Sequence, residues 1–366
     1  MMSKENLLTL PEVTLSKINY AFFTNEDGHS DAGYLIDGQK TRNVNVYSSE
    51  QLPGKGFDPA ERVLANIQMC FQELGAGDEV RHKFFMTSYY ANMGKSAPLI
   101  ISCDNLDHLY ELKARASQNL SYEDEDKANP NRLGLEPSMR AAIGDSDISV
   151  IRADALIFKG IPGESIAVLG ASGDAHPIMM FDDENKIACY ISGAHMTLKQ
   201  GVLEQSFDRM IALGANPRNI RLAIGPGLGP KSYEFGENAP EYFSIPEEHV
   251  DRVLKPVLDT AGMKKYLIDI KELISVKLME RLSSENIYNL ELDTMGFYLY
   301  DEVTDELGKT FLRRKTNINF EELNKSGPLF FGARRGIMQQ SGDLMEHNSG
   351  AYNTVGRHGA GFSLKP

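Results

Sequence analysis

With 366 residues, 42% of them hydrophobic and 24% charged, the chain has the make-up of a globular protein with a sizeable core, in one large domain or two ordinary ones. Its formal net charge of -13 argues against a nucleic-acid partner, because phosphate binding needs a basic face, and no apolar run reaches the roughly 18 residues of a membrane span. The opening MMSKENLLTL lacks the apolar region of a signal peptide, and Cys70, Cys103 and Cys189 form neither a disulfide framework nor a zinc-binding spacing, so a reducing, cytoplasmic location is expected.

In chain order, strand-like runs at 18–24 and 42–47 flank the turn-rich NEDGHSDAG, in which Asp27-Gly28 is a turn signal and His29 reads as an exposed loop histidine. Asp58-Pro59 opens a helix that runs to about Leu74 and stops at Gly75: a capping Asp, a first-turn Pro and a terminal Gly. Val63, Ile67, Cys70, Phe71 and Leu74 share one face, which makes Cys70 a core residue. Strand patterns follow at 84–90 and 98–102. Residues 104–147, centred on YEDEDKANPNR, read as a surface excursion with helix near 106–117.

The stretch from Ala153 to Glu204 is the expected functional centre. Apolar runs at 165–170 and 177–181 flank a polar knot holding Ser172, Asp174 and His176. A turn at 182–186 leads to a third run at 187–192, then to His195 and a helical pattern at 202–213. Short β-rich runs separated by turn residues suggest neighbouring strands of one sheet, with binding groups released at their ends. A strand at 220–224 precedes GPGLGPKSYEFG, whose glycines and prolines make a rigid loop without the spacing of a phosphate loop or dinucleotide fingerprint. Helices are expected near 246–258 and 268–282, the second patterned by Leu273, Val276 and Met279, and a strand at 287–292. LFFGARR and YNTVGRHGAGFSL close the chain.

FFTNEDGHSDAG, ERVLANIQMCFQELG, ADALIFKGIPG, GVLE, IGPGLGPKSYEFG and FFGARRG, in that order, resemble the YfiH-like family, also called the laccase-domain or multicopper polyphenol-oxidase family. The resemblance implies an α/β (α+β) fold of mixed β-sheets packed together with flanking helices, shared with cytotoxic-necrotizing-factor-type deamidases. It also implies a single domain over 1–366 with an insertion at about 104–147. Activities linked to the family are purine nucleoside phosphorylase and adenosine deaminase, with a small-molecule partner such as a purine nucleoside with phosphate. The family's cofactor is zinc, held by two His and one Cys. Here the matching segments FMTSYYANMG, GDAHP and SGAHMTLKQG put Tyr89 or Tyr90, Ala175 and Ser192 at those positions. Alanine and serine do not supply the thiolate and imidazole that zinc prefers.

Three readings of the site follow. In the first, Asp174, His176 and His195 form a relocated metal or acid–base site, since Asp174 and His176 point the same way on an extended strand and His195 lies beyond the next one. Ser172 would serve as a nucleophile, although GASGD does not complete a Gly-x-Ser-x-Gly elbow. In the second, the chain is a binding or interaction protein without the family's catalysis. Arg334, Arg335 and Arg357, aligned with the family's C-terminal arginines, would then fork onto phosphate or carboxylate. Tyr89, Tyr90 and Tyr233 would stack on a base, with Ser192 as a further contact. The third is an effector-like deamidase, for which Cys103, at a strand end, is the thiol to test.

Overall fold

The computed structural model describes residues 7–10, 13–23, 35–36, 39–40, 60–75, 79–88, 97–121, 143–258, 262–291, 300–304, 308, 310–314 and 358–366. Among them, two six-stranded sheets pack face to face. The first has the order β1 (Leu7–Leu8), β2 (Ile18–Phe23), β19 (His358–Leu364), β9 (Ile166–Ser172), β5 (His82–Ser88) and β7 (Ile148–Ala153). The second runs β16 (Ile287–Asn289), β12 (Arg221–Ile224), β10 (His176–Asp182), β11 (Ile187–Gly193), β8 (Ala155–Lys159) and β6 (Ile100–Cys103). A five-stranded sheet contains β13 (Glu234–Phe235), β15 (Lys264–Ile268), β14 (Leu254–Leu258), β18 (Thr310–Arg314) and β17 (Tyr300–Thr304), and β3 (Leu35–Ile36) pairs with β4 (Gln39–Lys40). Both large sheets are mixed: β5 runs parallel to β7 and β9, while β10 is antiparallel to β11 and β12.

Side-chain alternation along the strands builds the layers. Met179, Phe181, Ala188 and Tyr190 of the second sheet meet Phe22, Phe84, Val168 and Phe362 of the first in one core. The intervening residues Ile178, Met180, Cys189 and Ile191 pack instead with Leu198 of α3 (His195–Lys199), Val202 and Phe207 of α4 (Val202–Ala212) and Leu273 of α7 (Ile270–Leu278). On the far side of the first sheet, Phe23, Phe85 and Leu169 receive Val63, Ile67 and Phe71 of α1 (Ala60–Leu74). Every residue of β10 and β11 is buried. Covered on both faces, these strands read as nearly continuous apolar runs. A Cβ at Gly170 would lie 2.2 Å from the Tyr190 ring, so the two sheets approach closely only because that position is bare. No helix of the described residues is long and apolar enough to cross a membrane.

Three expectations are corrected. The runs at 165–170 and 177–181 belong to different sheets, because the chain turns at 173–175 from β9 in one sheet into β10 in the other. The helix expected over 246–258 is a 3-10 turn (Glu247–His249), one turn of α6 (Val250–Val253) and then β14. Pro256 accounts for this, since it lacks the N–H a helix needs and disfavours helical backbone at Lys255. The helix expected over 268–282 is α7 alone, preceded by β15, and Met279 is exposed beyond its end.

Candidate functional site

Asp154, between β7 and β8, is the residue at which the chain passes from the first sheet to the second. It is wholly buried. Its backbone N–H donates to the Leu99 carbonyl at 2.8 Å and its Oδ2 accepts the Leu99 N–H at 3.0 Å, while its carbonyl accepts the Ser192 N–H at 2.9 Å. Its neighbour Ala153 pairs with Ser88, the last residue of β5. Asp154 therefore ties the segment before β6 to the end of β11, next to the pairing of Ala153 with the end of β5.

At these strand ends Ser88 Oγ lies 2.8 Å from Ser192 Oγ, a hydrogen bond from one sheet to the other. The Ser192 carbonyl accepts the hydroxyl of buried Thr197 at 2.6 Å, which fixes the backbone where β11 gives way to α3. Pro177 pairs with Ser192, and His176 with Gly193, so Ala175 sits one residue beyond the last pair of β10 and β11. The Ser172 hydroxyl donates to the Ala175 carbonyl, closing the turn between β9 and β10. That proton is committed to the turn, which leaves Ser172 a turn-former rather than a poised nucleophile. Opposite Ser172 in the β9–β19 register stands His358.

Asp174 and His176 engage the glycine-rich loop. Leu228 N–H donates to the Asp174 carbonyl at 3.1 Å and Gly225 N–H to the Pro177 carbonyl at 2.8 Å. The His176 ring stacks on Tyr233 with centroids 6.2 Å apart, and a Cβ at Gly227 would lie 2.5 Å from it. Burial pushes the His176 pKa down to about 3, with the Leu228 backbone as a smaller opposing influence. The imidazole is therefore neutral, and its Nδ1 has no hydrogen bond of ordinary geometry. Tyr233 is itself buried, its carbonyl accepting Ile268 N–H at 3.0 Å. Its ring covers His176 and offers no open face to a base, against the expectation that it stacks on a ligand.

His195, the first residue of α3, is half-buried. Its Nδ1 lies 2.8 Å from the Tyr242 hydroxyl, its ring meets Phe235 edge-on, and Lys199 Nζ sits 4.4 Å from the Tyr242 ring centre. Burial raises the Tyr242 pKa, which keeps the phenol protonated. Although β10 and β11 pair as the relocated site required, His195 belongs to this aromatic group and His176 to the glycine loop. Among the described residues no three His, Cys, Asp or Glu side chains gather to hold a metal ion, so Asp174, His176 and His195 are not assembled as a donor set.

Cys103, Cys189 and Cys70 are all buried. Burial pushes the Cys103 thiol up to about 12 and raises the other two as well. Cys103 is thus a packed thiol and not the reactive one that its strand-end position suggested. Tyr89, Tyr90, Arg334, Arg335, Arg357 and His29 lie outside the described residues.

The metal implied by the resemblance is tested by the donors at the described positions. Ala175 has none, and Ser192 offers a neutral hydroxyl already bonded to Ser88. Zinc and copper sites are built from imidazole and thiolate, so these two residues do not fit either metal. Sequence reasoning missed Ser88 and Asp154. Their signals were present, a hydroxyl ending the apolar FFMTS and an acid inside ADALIF, but only the strand pairing shows that they meet.

Several known proteins resemble this chain in sequence or fold. A family model described as multi-copper polyphenol oxidoreductase laccase matches residues 119–310. A purine nucleoside phosphorylase of Deinococcus radiodurans is 29% identical over 166 residues, 43% of this chain and 61% of that protein. A second, from a Synechocystis strain, is 26% identical over 138 residues, 34% of this chain and 52% of that protein. The chain thus spans less than two thirds of either relative's length. Among solved structures, YlmD from Geobacillus stearothermophilus superposes with a TM-score of 0.57 at 15% identity, over 100% of this chain and 98% of that one. A DUF152-family protein from Neisseria meningitidis gives 0.55 at 15% identity, over 99% and 100%. YfiH from Bacillus licheniformis gives 0.55 at 15% identity, over 95% and 93%. At that identity the likeness establishes the fold.

Proposed function

Because this chain belongs to the multi-copper polyphenol oxidoreductase laccase family, the YfiH-like proteins, we propose that it binds a purine nucleoside together with phosphate at the joined ends of β5 and β11. The observation that supports the reading is the hydrogen bond between Ser88 and Ser192 at the ends of β5 and β11, strand ends that lie in or next to segments the resemblance assigns to the family's site. The names of the two phosphorylase relatives support the ligand class. In this reading the polar contacts come from hydroxyls at the strand ends. Arg334, Arg335 and Arg357 are proposed to take the phosphate, whose charge and geometry suit guanidinium forks. Binding, rather than metal-assisted catalysis, is what these hydroxyls and the three arginines serve best.

Thermal unfolding of the purified chain with millimolar inosine or adenosine, each with and without phosphate, tests the reading. A ligand at about a hundred times its Kd adds roughly 2.7 kcal/mol to stability, which raises the midpoint by several degrees. The highest midpoint is expected with nucleoside and phosphate together. A midpoint unmoved by every combination counts against the proposal.

A further inference from the structure

We infer that Glu234, Lys265 and Tyr300 form a latch that joins the two outer strands of the five-stranded sheet and, by holding β13 in place, keeps His176 covered. The sheet order puts β13 and β17 at opposite edges, with β15, β14 and β18 between them. In a flat sheet those edges would stand four strand spacings apart, about 19 Å, farther than a tyrosine and a glutamate side chain reach together. Yet the Tyr300 hydroxyl donates to Glu234 Oε2, so the sheet curls until its edges face each other. Register explains which side chains meet inside the curl. Glu234 pairs with Leu267, Lys265 with Val257 and Val257 with Leu312, while Tyr300 lies two residues before Glu302, the partner of Leu312. Cross-strand partners and residues two apart share a face, so all three side chains point to the same side of the sheet. Lys265 Nζ completes the group, 2.7 Å from Glu234 Oε1.

The group is well covered: the side chains of Lys265 and Glu234 are 15% and 9% exposed, and Tyr300 is 6% exposed. A covered ion pair gives little net stability over apolar packing, and its best-attested use is to select one arrangement among several. The arrangement selected here is that of β13, which has only Glu234 and Phe235 in the ladder. Its flanks face two histidines. Tyr233 stacks on His176, while Phe235 meets His195 edge-on and lies against Tyr242. β13 thus carries the cover of one histidine and part of the surroundings of the other, and release at Tyr300 loosens both.

Hydrogen exchange of the full chain, read by mass spectrometry for wild type, Tyr300→Phe and Glu234→Gln, tests the latch. Losing a hydrogen bond to a charged acceptor predicts exchange about tenfold faster or more in Tyr300→Phe. The increase should cover residues 228–235 as well as 300–304, and leave β9 and β11 unchanged. Modification of His176 by diethyl pyrocarbonate, mapped on the peptide, should quicken by a similar factor, because its cover lifts more often. Faster exchange confined to 300–304, with His176 as slow to react as in wild type, overturns the coupling. Faster exchange throughout the chain overturns it too, since the triad is then a general stabiliser. Glu234→Gln keeps an acceptor for the phenol but loses the charge, so it should loosen the same segments about threefold. If Tyr300→Phe fails to fold, Glu234→Gln decides, and unchanged exchange over 228–235 in that variant overturns the proposal.

Discussion

At His176 the imidazole lies under the glycine-rich loop with its pKa pushed down to about 3 from 6.5, so the folded protein holds it neutral while the unfolded chain protonates it near pH 6.5. Between those two values the unfolded state binds the extra proton, and stability therefore falls as pH drops below about 6.5. It is fully present above that point. Going from pH 7.5 to 5.5, His176 should account for about 1 kcal/mol of lost stability, given about 1.4 kcal/mol per pK unit. Urea denaturation of wild type and His176→Asn at the two pH values measures it, and an equal loss in both would contradict the assignment. The same residue shows where sequence reading stops. Its place beside a strand was legible, and so was the pairing of β10 with β11, although Asp174 lies in the turn before β10 and not on the same strand. What covers it was not, because Gly227 and Tyr233 reach it through a loop some fifty residues downstream. Ser88 and Asp154 were unremarkable as letters for the same reason: their significance comes from partners at Ser192 and Leu99.

The elements were legible where local chemistry decides them. The apolar face chosen for α1 is buried residue for residue, from Val63 to Leu74, and the turn at 182–186 is closed by Asp182, whose side chain accepts from Asn185 and from the Asn216 N–H. They were misread where a strand continues directly from a helical turn, as at Leu254, or where two consecutive strands join different sheets, as β9 and β10 do. Hydrophobic periodicity reports burial and not which sheet provides it. The loop 225–230 is the element on which β10 depends at its start. An added methyl at Gly227 would meet the His176 ring at 2.5 Å. Gly227→Ala should therefore cost about 1–3 kcal/mol by overpacking. In a His176→Ala background, with the ring gone, the cost should largely vanish, and a double-mutant cycle by chemical denaturation reads the coupling directly. Additive effects would mean that the glycine is required for backbone reasons instead.

The described residues form a layered structure in which α1 covers one sheet and α3, α4 and α7 the other, with strand ends from both sheets meeting at Ser88 and Ser192. The YfiH-like fold was legible from motif order. The bond between Ser88 and Ser192 depends on long-range pairing that the sequence does not display. The proposed ligand site would work through hydroxyls and not through a metal, since the resemblance puts Ala175 and Ser192, which are not metal donors of choice, at two of its ligand positions. Calorimetric titration of the chelator-treated full chain with inosine in phosphate buffer tests this most directly. The account predicts saturable binding with the same affinity before chelation, after chelation and after zinc or copper is added back. Binding that disappears on chelation and returns with stoichiometric metal would contradict it.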